Sequence, residues 1–150
     1  QESMYPFRVE EFRLRQDSGG AGQWRGGLGF DKQYVLLAPC DLWANFDRIG
    51  CPPWGVQGAK AGKSGQVLIF KNGKTEPELL YKTENCPLQT GDRVRMSTGG
   101  GGGYGDPRLR PIELVERDVI RGFVSRESAQ IDYGVVIDAD GTSSRRKDEG

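Results

Sequence analysis

The chain contains no histidine. That absence removes the side chain most used as a general base near neutral pH and the commonest ligand of transition metals. It excludes a Ser-His-Asp or Cys-His catalytic arrangement built from this chain alone. Only three cysteines occur, Cys40, Cys51 and Cys86. An odd number at wide spacing fits neither a paired disulfide framework nor a CxxC zinc knuckle, and a Cys-only zinc site needs a fourth ligand from elsewhere. Three reduced thiols, as in a cytoplasmic protein, is the reading we adopt. Net charge is missing too. The 21 Lys plus Arg balance 21 Asp plus Glu, so no global field draws in nucleic acid or an anionic membrane. No run approaches the ~20 apolar residues of a membrane-spanning helix. Gln1-Glu2-Ser3-Met4 has neither an initiator Met at position 1 nor the basic-then-apolar pattern of a secretion signal. The expectation is a fragment, a processed chain or an excised domain.

Glycine is present in excess. The 23 glycines among 150 residues are about twice the usual share, and they predict turns and close backbone approaches rather than long helices. Between them run short apolar segments. Residues 6–15 alternate apolar and polar: Phe7 and Val9 share a face, Phe12 and Leu14 share a face, and the phase slips between Glu10 and Glu11. One β-bulge in a strand explains the slip. Residues 17–29 hold too much glycine for a regular element, yet Trp24 and Leu28 within them predict an ordered, packed loop. Strands are expected at 33–38 and 41–47, a rigid turn at Cys51-Pro-Pro-Trp-Gly55, and a loop at 58–65. Residues 66–70, then Asn72-Gly73, then strand-like residues to Tyr81 carry the type I′ hairpin signature. Residues 93–97 read as a strand with Val94 and Met96 inward.

After Asp106-Pro107 the period changes from two to about 3.6. Ile112, Val115 and Val119 lie on one helical face, Pro111 suits a first turn, and Gly122 stands where a C′ glycine belongs. A second helix is predicted from the N-cap Ser125, with Val124 and Ala129 as a staple and Gly134 as its end. Residues 135–137 suit a short strand. The fold class is α+β: a mainly antiparallel β body over about 5–98, a glycine-rich loop at 99–106, and a helical appendage at 107–134. One domain covers 1–137, and 138–150 form a polar tail expected to fray.

Several motifs bear on chemistry. The run Gly99, Gly100, Gly101, Gly102, Gly103, Tyr104, Gly105 follows a strand and contains GxGxxG-like spacing. A dinucleotide site needs that motif to open a helix inside a βαβ unit; here Asp106-Pro107 intervenes. Two readings stay open: a backbone wall against which a ligand or partner loop lies, or a crowded crossing where side chains do not fit. Each glycine costs about 0.5–1 kcal/mol relative to alanine, so the run needs some reason. Arg25, amid glycines, suits a bidentate clamp on a carboxylate or phosphate, or an ion pair with Asp17 or Asp31. Gly62-Lys63-Ser64 ends like a phosphate-binding loop, but Gln57 stands where that motif needs glycine and a strand follows. It reads as a solvated loop. The basic tail Arg145-Arg146-Lys147 is too short to signify nucleic acid.

Taken in order, residues 5–15, Asp17-Ser-Gly-Gly-Ala-Gly22, Arg25-Gly-Gly-Leu-Gly29, Asp47-Arg48, Pro52-Pro-Trp-Gly55, Gln89-Thr-Gly-Asp92, 99–107, Arg117-Asp118, Gly122-Phe-Val-Ser125 and Tyr133-Gly-Val-Val136 resemble the C-terminal portion of the hydantoinase B/oxoprolinase family, across nearly the whole chain. The resemblance implies a B-type component working with a hydantoinase A-type, actin-like ATPase that phosphorylates a cyclic amide or similar carbonyl. It implies ring opening completed in the B-type component, with ATP and a divalent metal bound elsewhere in the complex and no cofactor on this chain. Expected partners are that ATPase, the N-terminal portion of the chain's own subunit, and a small cyclic amide such as a hydantoin or 5-oxoproline. No catalytic residue and no metal ligand carries over. Arg25, Arg48 and residues 99–105 lie in the most family-like stretches and are the candidate contacts to substrate or partner, with the glycine N–H groups as candidate oxyanion donors. The alternatives are a non-catalytic scaffold that docks the ATPase, and a part of a related ATP-dependent ketone carboxylase.

Overall fold

The computed structural model describes residues 5–80, 82–138 and 143–145. Its largest element is a five-stranded antiparallel sheet in the order β1-β2-β7-β4-β5. The strands are β1 (Phe7–Leu14), β2 (Phe30–Leu36), β3 (Cys40–Asn45), β4 (Gln66–Phe70), β5 (Glu78–Leu80), β6 (Lys82–Leu88) and β7 (Arg93–Ser97). β3 and β6 pair as a separate antiparallel ribbon. β1 and β2 are in register from Phe7↔Leu36 to Val9↔Tyr34, then resume at Glu11↔Gln33. Glu10 is the extra residue, so the phase slip in the sequence is a bulge.

One face of this sheet and the ribbon enclose the first core, built on Leu36, Val67, Ile69, Leu88 and Val94. The other face carries charge instead. Arg13 bonds Glu11, Arg93 bonds Glu10, Arg95 reaches Glu11, and Ser97 donates to Asp31. The alternation in the sequence therefore divides core from surface as expected, including Val94 and Met96 toward the ribbon.

Three local readings differ. The β4–β5 connection is longer than a two-residue hairpin, because Ile69 pairs with Glu78. Gly73 has φ +80° while Asn72 has no positive φ, which is the pattern of a type II turn rather than type I′. The Asn72 amide is drawn instead to the Asp92 carboxylate at 2.8 Å. Tyr81 lies outside the described residues. The strand β6, over residues given no reading from the sequence, turns Cys86 and Leu88 toward the core and carries Pro87 between them; a two-stranded ribbon has only edges, so a proline fits there. Within the segment expected to fray, Ser143–Arg145 form a strand, β9, paired with β8 (Val135–Ile137). Arg145 donates to the carbonyls of Arg108 and Arg110, which holds it in place. The remainder of that segment beyond Asp138 lies outside the described residues.

The helical part follows its end signals. A 3-10 turn, Pro107–Leu109, leads into α1 (Ile112–Ile120) and α2 (Arg126–Tyr133). Gly122 (φ +71°) follows α1 and Gly134 (φ +66°) ends α2, both in the left-handed conformation that glycine adopts without strain. The Ser125 hydroxyl accepts from the Ser128 amide at 3.0 Å. Val124 and Ala129 both belong to the second core, with Val115, Tyr133, Val135 and Ala21, as a hydrophobic staple requires.

Between the two cores lies a bundle of extended glycine-rich segments: 18–22, 24–29, 53–56, 59–63 and 99–105. They are joined by backbone hydrogen bonds. The Gly20 amide donates to Gly101, Gly101 to Gly27, Gly100 to Lys63, Gly103 to Lys60, and Gly62 to Pro53, all within 2.9–3.1 Å. A Cβ on Gly100 would overlap the carbonyl of Ser18, and one on Gly102 the carbonyl of Trp54. A Cβ on Gly101 would stand 3.2 Å from the Gly27 nitrogen, a tight but adjustable contact. Of the two readings left open for residues 99–105, the crowded crossing is the one these contacts fit.

Two outcomes follow. Gly102→Ala displaces backbone and is expected to destabilise the chain by more than the ~1 kcal/mol that Gly101→Ala should cost or contribute; urea unfolding of both variants ranks them. Burial alone would raise the Asp92 carboxyl, but the amides of Gln89 and Asn72 and the Lys71 ammonium outweigh it, holding it below its ordinary value of 3.8. A depressed folded-state value contributes stability that is present above the unfolded value and is lost as pH falls through the folded one. Asp92→Asn should therefore lower stability by about 1–3 kcal/mol near pH 6, and the gap to the parent should close on acidification below pH 3.8.

Candidate functional site

The glycine segment 99–105 stands at the centre of the bundle, and the two candidate arginines flank it differently. Arg25 adjoins it through Gly26, whose Cβ position is filled by the Gly101 carbonyl. Its guanidinium turns away, toward α1. The Arg25 Nε donates to Asp118 at 3.0 Å, its Nη1 to the Gly26 carbonyl at 2.7 Å, and its plane lies 5.5 Å from the centre of the Phe123 ring. The ion-pair reading of Arg25 is the observed one, with Asp118 as partner in place of Asp17 or Asp31. Asp17 serves elsewhere: it accepts from the Ser125 amide at 2.8 Å and so ties the first glycine loop to the start of α2.

Asp118 holds a second arginine. The Arg110 Nη2 donates to the same oxygen at 2.8 Å, and its Nη1 donates to the Gln23 carbonyl at 3.1 Å. Both Asp118 and Arg110 are buried. Two guanidiniums and one carboxylate thus fasten the helical appendage to the bundle. Tyr133 packs in the same core, and burial pushes its hydroxyl up to about 12. None of these three was given a role from the sequence, although Asp118 and Tyr133 lie in family-like stretches. The available signal was an acid on the buried face of α1, three residues after Val115, where an unpaired charge is not tolerated.

Arg48 is on the opposite flank. It is exposed, adopts a positive φ of 62°, and lies 5.5 Å from the centre of the Trp54 ring. The Trp54 carbonyl is the one that excludes a Cβ at Gly102. Arg48 therefore reaches the glycine segment through Trp54, and Arg25 reaches it through Gly26; the two guanidiniums have different partners and form no common clamp. At the end of the segment Tyr104 bridges Trp24 on one side and Val56 on the other, and all three side chains are exposed.

The donors of the segment are largely committed. Gly100, Gly101, Gly103, Tyr104 and Gly105 each donate their amide to a backbone carbonyl. The three cysteines are free thiols; burial first, and then the charge of Asp41, push the Cys40 thiol up, away from thiolate chemistry. Among the described residues no group of three or more Cys, Asp or Glu side chains is arranged to hold a metal ion, and no helix is long and apolar enough to cross a membrane. What the arrangement offers is shape, an exposed aromatic rim, and a buried electrostatic fastening.

Removing one member of that fastening leaves a buried charge unpaired. Asp118→Ala should destabilise the chain by about 3–5 kcal/mol, whereas Arg48→Ala, on an exposed stack, should cost about 1 kcal/mol or less. Chemical denaturation of the two variants checks the contrast; equal losses would refute this division between fastening and rim.

Comparison with known proteins places this geometry. The family model described as hydantoinase B/oxoprolinase matches residues 1–107. An uncharacterised protein of Methanocaldococcus jannaschii is 43% identical over 91% of this chain and 24% of its own length. The beta chain of the caprolactamase of Pseudomonas jessenii is 37% identical over 93% of this chain and 25% of its own length. The crystal structure of the ATP-dependent caprolactamase from Pseudomonas jessenii superposes with a TM-score of 0.81 at 31% identity, over 95% of this chain and 25% of that one. A nucleotide-free acetone carboxylase structure shares the fold, with a TM-score of 0.71 at 22% identity, over 93% of this chain and 23% of that one. The chain thus spans about a quarter of the length of these relatives. With its glycine bundle matched along with its sheet, the chain belongs to the hydantoinase B/oxoprolinase family.

Proposed function

We propose that this chain is the glycine-bundle part of the B-type component of an ATP-dependent cyclic-amide hydrolase, of the hydantoin or 5-oxoproline ring-opening type. Its role is to form a rigid wall beside the active site and to present a docking rim for the ATPase. The names of relatives support the reaction class: the B component of a putative D-/L-hydantoinase from a Pseudomonas species, the caprolactamase beta chain, and 5-oxoprolinases. ATP and a divalent metal would be bound elsewhere in such a complex.

The observation that carries the wall reading is the commitment of the backbone donors at residues 100, 101, 103, 104 and 105 to carbonyls of neighbouring segments. ATP-coupled opening of a cyclic amide requires water attack on an activated carbonyl with its oxyanion stabilised. Amides already bonded within the bundle are poor candidates for that task. They are good at fixing the position of whatever rests on them, because a bundle without intervening side chains has few ways to deform. The exposed Trp24, Val56 and Tyr104, with Arg48 over Trp54, are the side chains at its rim. Aromatic and arginine side chains are those enriched where partners dock.

Gly101→Ala in the assembled complex tests the assignment. The wall reading expects ATP-coupled ring opening to fall far less than the ~10²–10³-fold that follows loss of an oxyanion donor. A folded variant with a loss of that size would overturn the wall reading, because the added methyl leaves the Gly101 amide in place and would then be obstructing the reacting groups themselves.

A further inference from the structure

The inner face of the five-stranded sheet is only half covered. At one end it packs on the β3–β6 ribbon and buries Leu36, Val67, Ile69 and Val94. The same face continues along β1 and β2, where the register sets Phe12 opposite Lys32 and Leu14 opposite Phe30. There the ribbon is gone. Phe12 is 67% exposed, Leu14 53% and Phe30 37%. Phe12 and Phe30 meet edge to face at 5.3 Å, and the Lys32 ammonium lies over both the Phe12 and Tyr34 rings. Where the covered and bare halves join, a cleft of about 310 Å³ opens between sheet and ribbon, walled by Phe7, Tyr34, Leu42 and Met96 among others. A sheet face that is apolar along its whole length has to bury that length. Scattered apolar side chains on a surface need no explanation, but a contiguous aromatic strip continuous with the core does.

We propose that this bare half-face is an intramolecular interface, covered by the apolar surface of the remaining three-quarters of a family-length B-type polypeptide, with one apolar side chain of that remainder seated in the cleft. The inference rests on the family reading given above. Three observations select the occupant. The relatives are about four times the length of this chain, so a B-type polypeptide of family length has a large body able to cover the strip. The centre of the strip carries one charge, Lys32, whose ammonium is turned onto aromatic rings; Asp41 at the cleft and Arg13, Arg15 and Asp31 beside Leu14 border it. An interface apolar through its centre resembles a core cut in half, as in permanent contacts rather than reversible ones. The rim that suits reversible docking, with Arg48 stacked on Trp54 beside Trp24 and Tyr104, is a separate surface.

Photo-cross-linking in the full-length polypeptide tests this, with Phe12 in one preparation and Leu14 in another replaced by p-benzoylphenylalanine. Both positions are exposed in this chain, so the replacement does not disturb its core. The expected product is an internal cross-link, located by peptide mass spectrometry in the remainder of the same polypeptide. Cross-links to the ATPase, to a second copy, or to no protein would each overturn the proposal. The paired variant Phe12→Ser with Leu14→Ser should lower the melting temperature of the full-length polypeptide; an unchanged melting temperature would also count against it. ATP-coupled hydrolysis by the unsubstituted complex is measured in parallel. Its absence defeats the functional reading while leaving the cross-link pattern to decide the interface.

Discussion

Backbone can lie against backbone at van der Waals distance only where no Cβ intervenes. That constraint organises this molecule. The segment 99–105 threads between segments drawn from 18–29 and 53–63, and the space a side chain would need at Gly100 and Gly102 is taken by carbonyl groups of its neighbours. The hydrogen bonds that result replace those of a sheet. Each glycine brings a large conformational entropy to the unfolded chain, so the bundle is held by its closeness and by what flanks it rather than by propensity. Both cores are in turn placed by it: Ala21, within the bundle, is part of the helical core, and Arg15, at the start of the first glycine loop, donates to the carbonyls of Ser64 and Thr98.

The electrostatics serve the same architecture. A chain of zero net charge has arranged its buried charges as a fastening, with Asp118 between Arg25 and Arg110. The pairing lies between the first glycine loop and α1, more than ninety residues apart in sequence. It closes the helical appendage onto the bundle without apolar area that a small core lacks. Burying such a group is costly unless its partners are complete. Arg110 also reaches the Gln23 carbonyl through Nη1, while its buried Nε is left without a partner among the described residues.

Much of the local structure was legible. The bulge in β1 followed from a phase slip at Glu10 and Glu11, and both helix ends followed from Ser125, Gly122 and Gly134, because each is a rule about neighbouring residues. The β4–β5 turn departs from its local signature because Asp92, twenty residues away, captures the Asn72 amide. The strand β6 is hidden in the sequence because Pro87 forbids it anywhere except beside an edge. Of the candidate site, residues 99–105 and both arginines were singled out by residue type and setting. Their partners were not, since Asp118, Trp54 and Gly27 are adjacent only through the fold.

By itself the sequence determined the α+β class, the alternation that divides the sheet's apolar face from its charged one, and the absence of histidine chemistry in this chain, all properties of composition and short-range spacing; the family was reached through the resemblance of its matched segments. Only the tertiary structure decided what the glycine excess is for. A run of five glycines is equally compatible with backbone donors left open to a ligand and with a packed crossing in which those donors are committed. The difference lies in which carbonyls stand where the Cβ atoms would be, and those belong to Ser18, Trp54 and others far off in sequence. Likewise the turning of Arg25 inward and Arg48 outward depends on the presence or absence of a buried carboxylate beside each. That is a fact of packing, to which neither arginine's sequence neighbours testify.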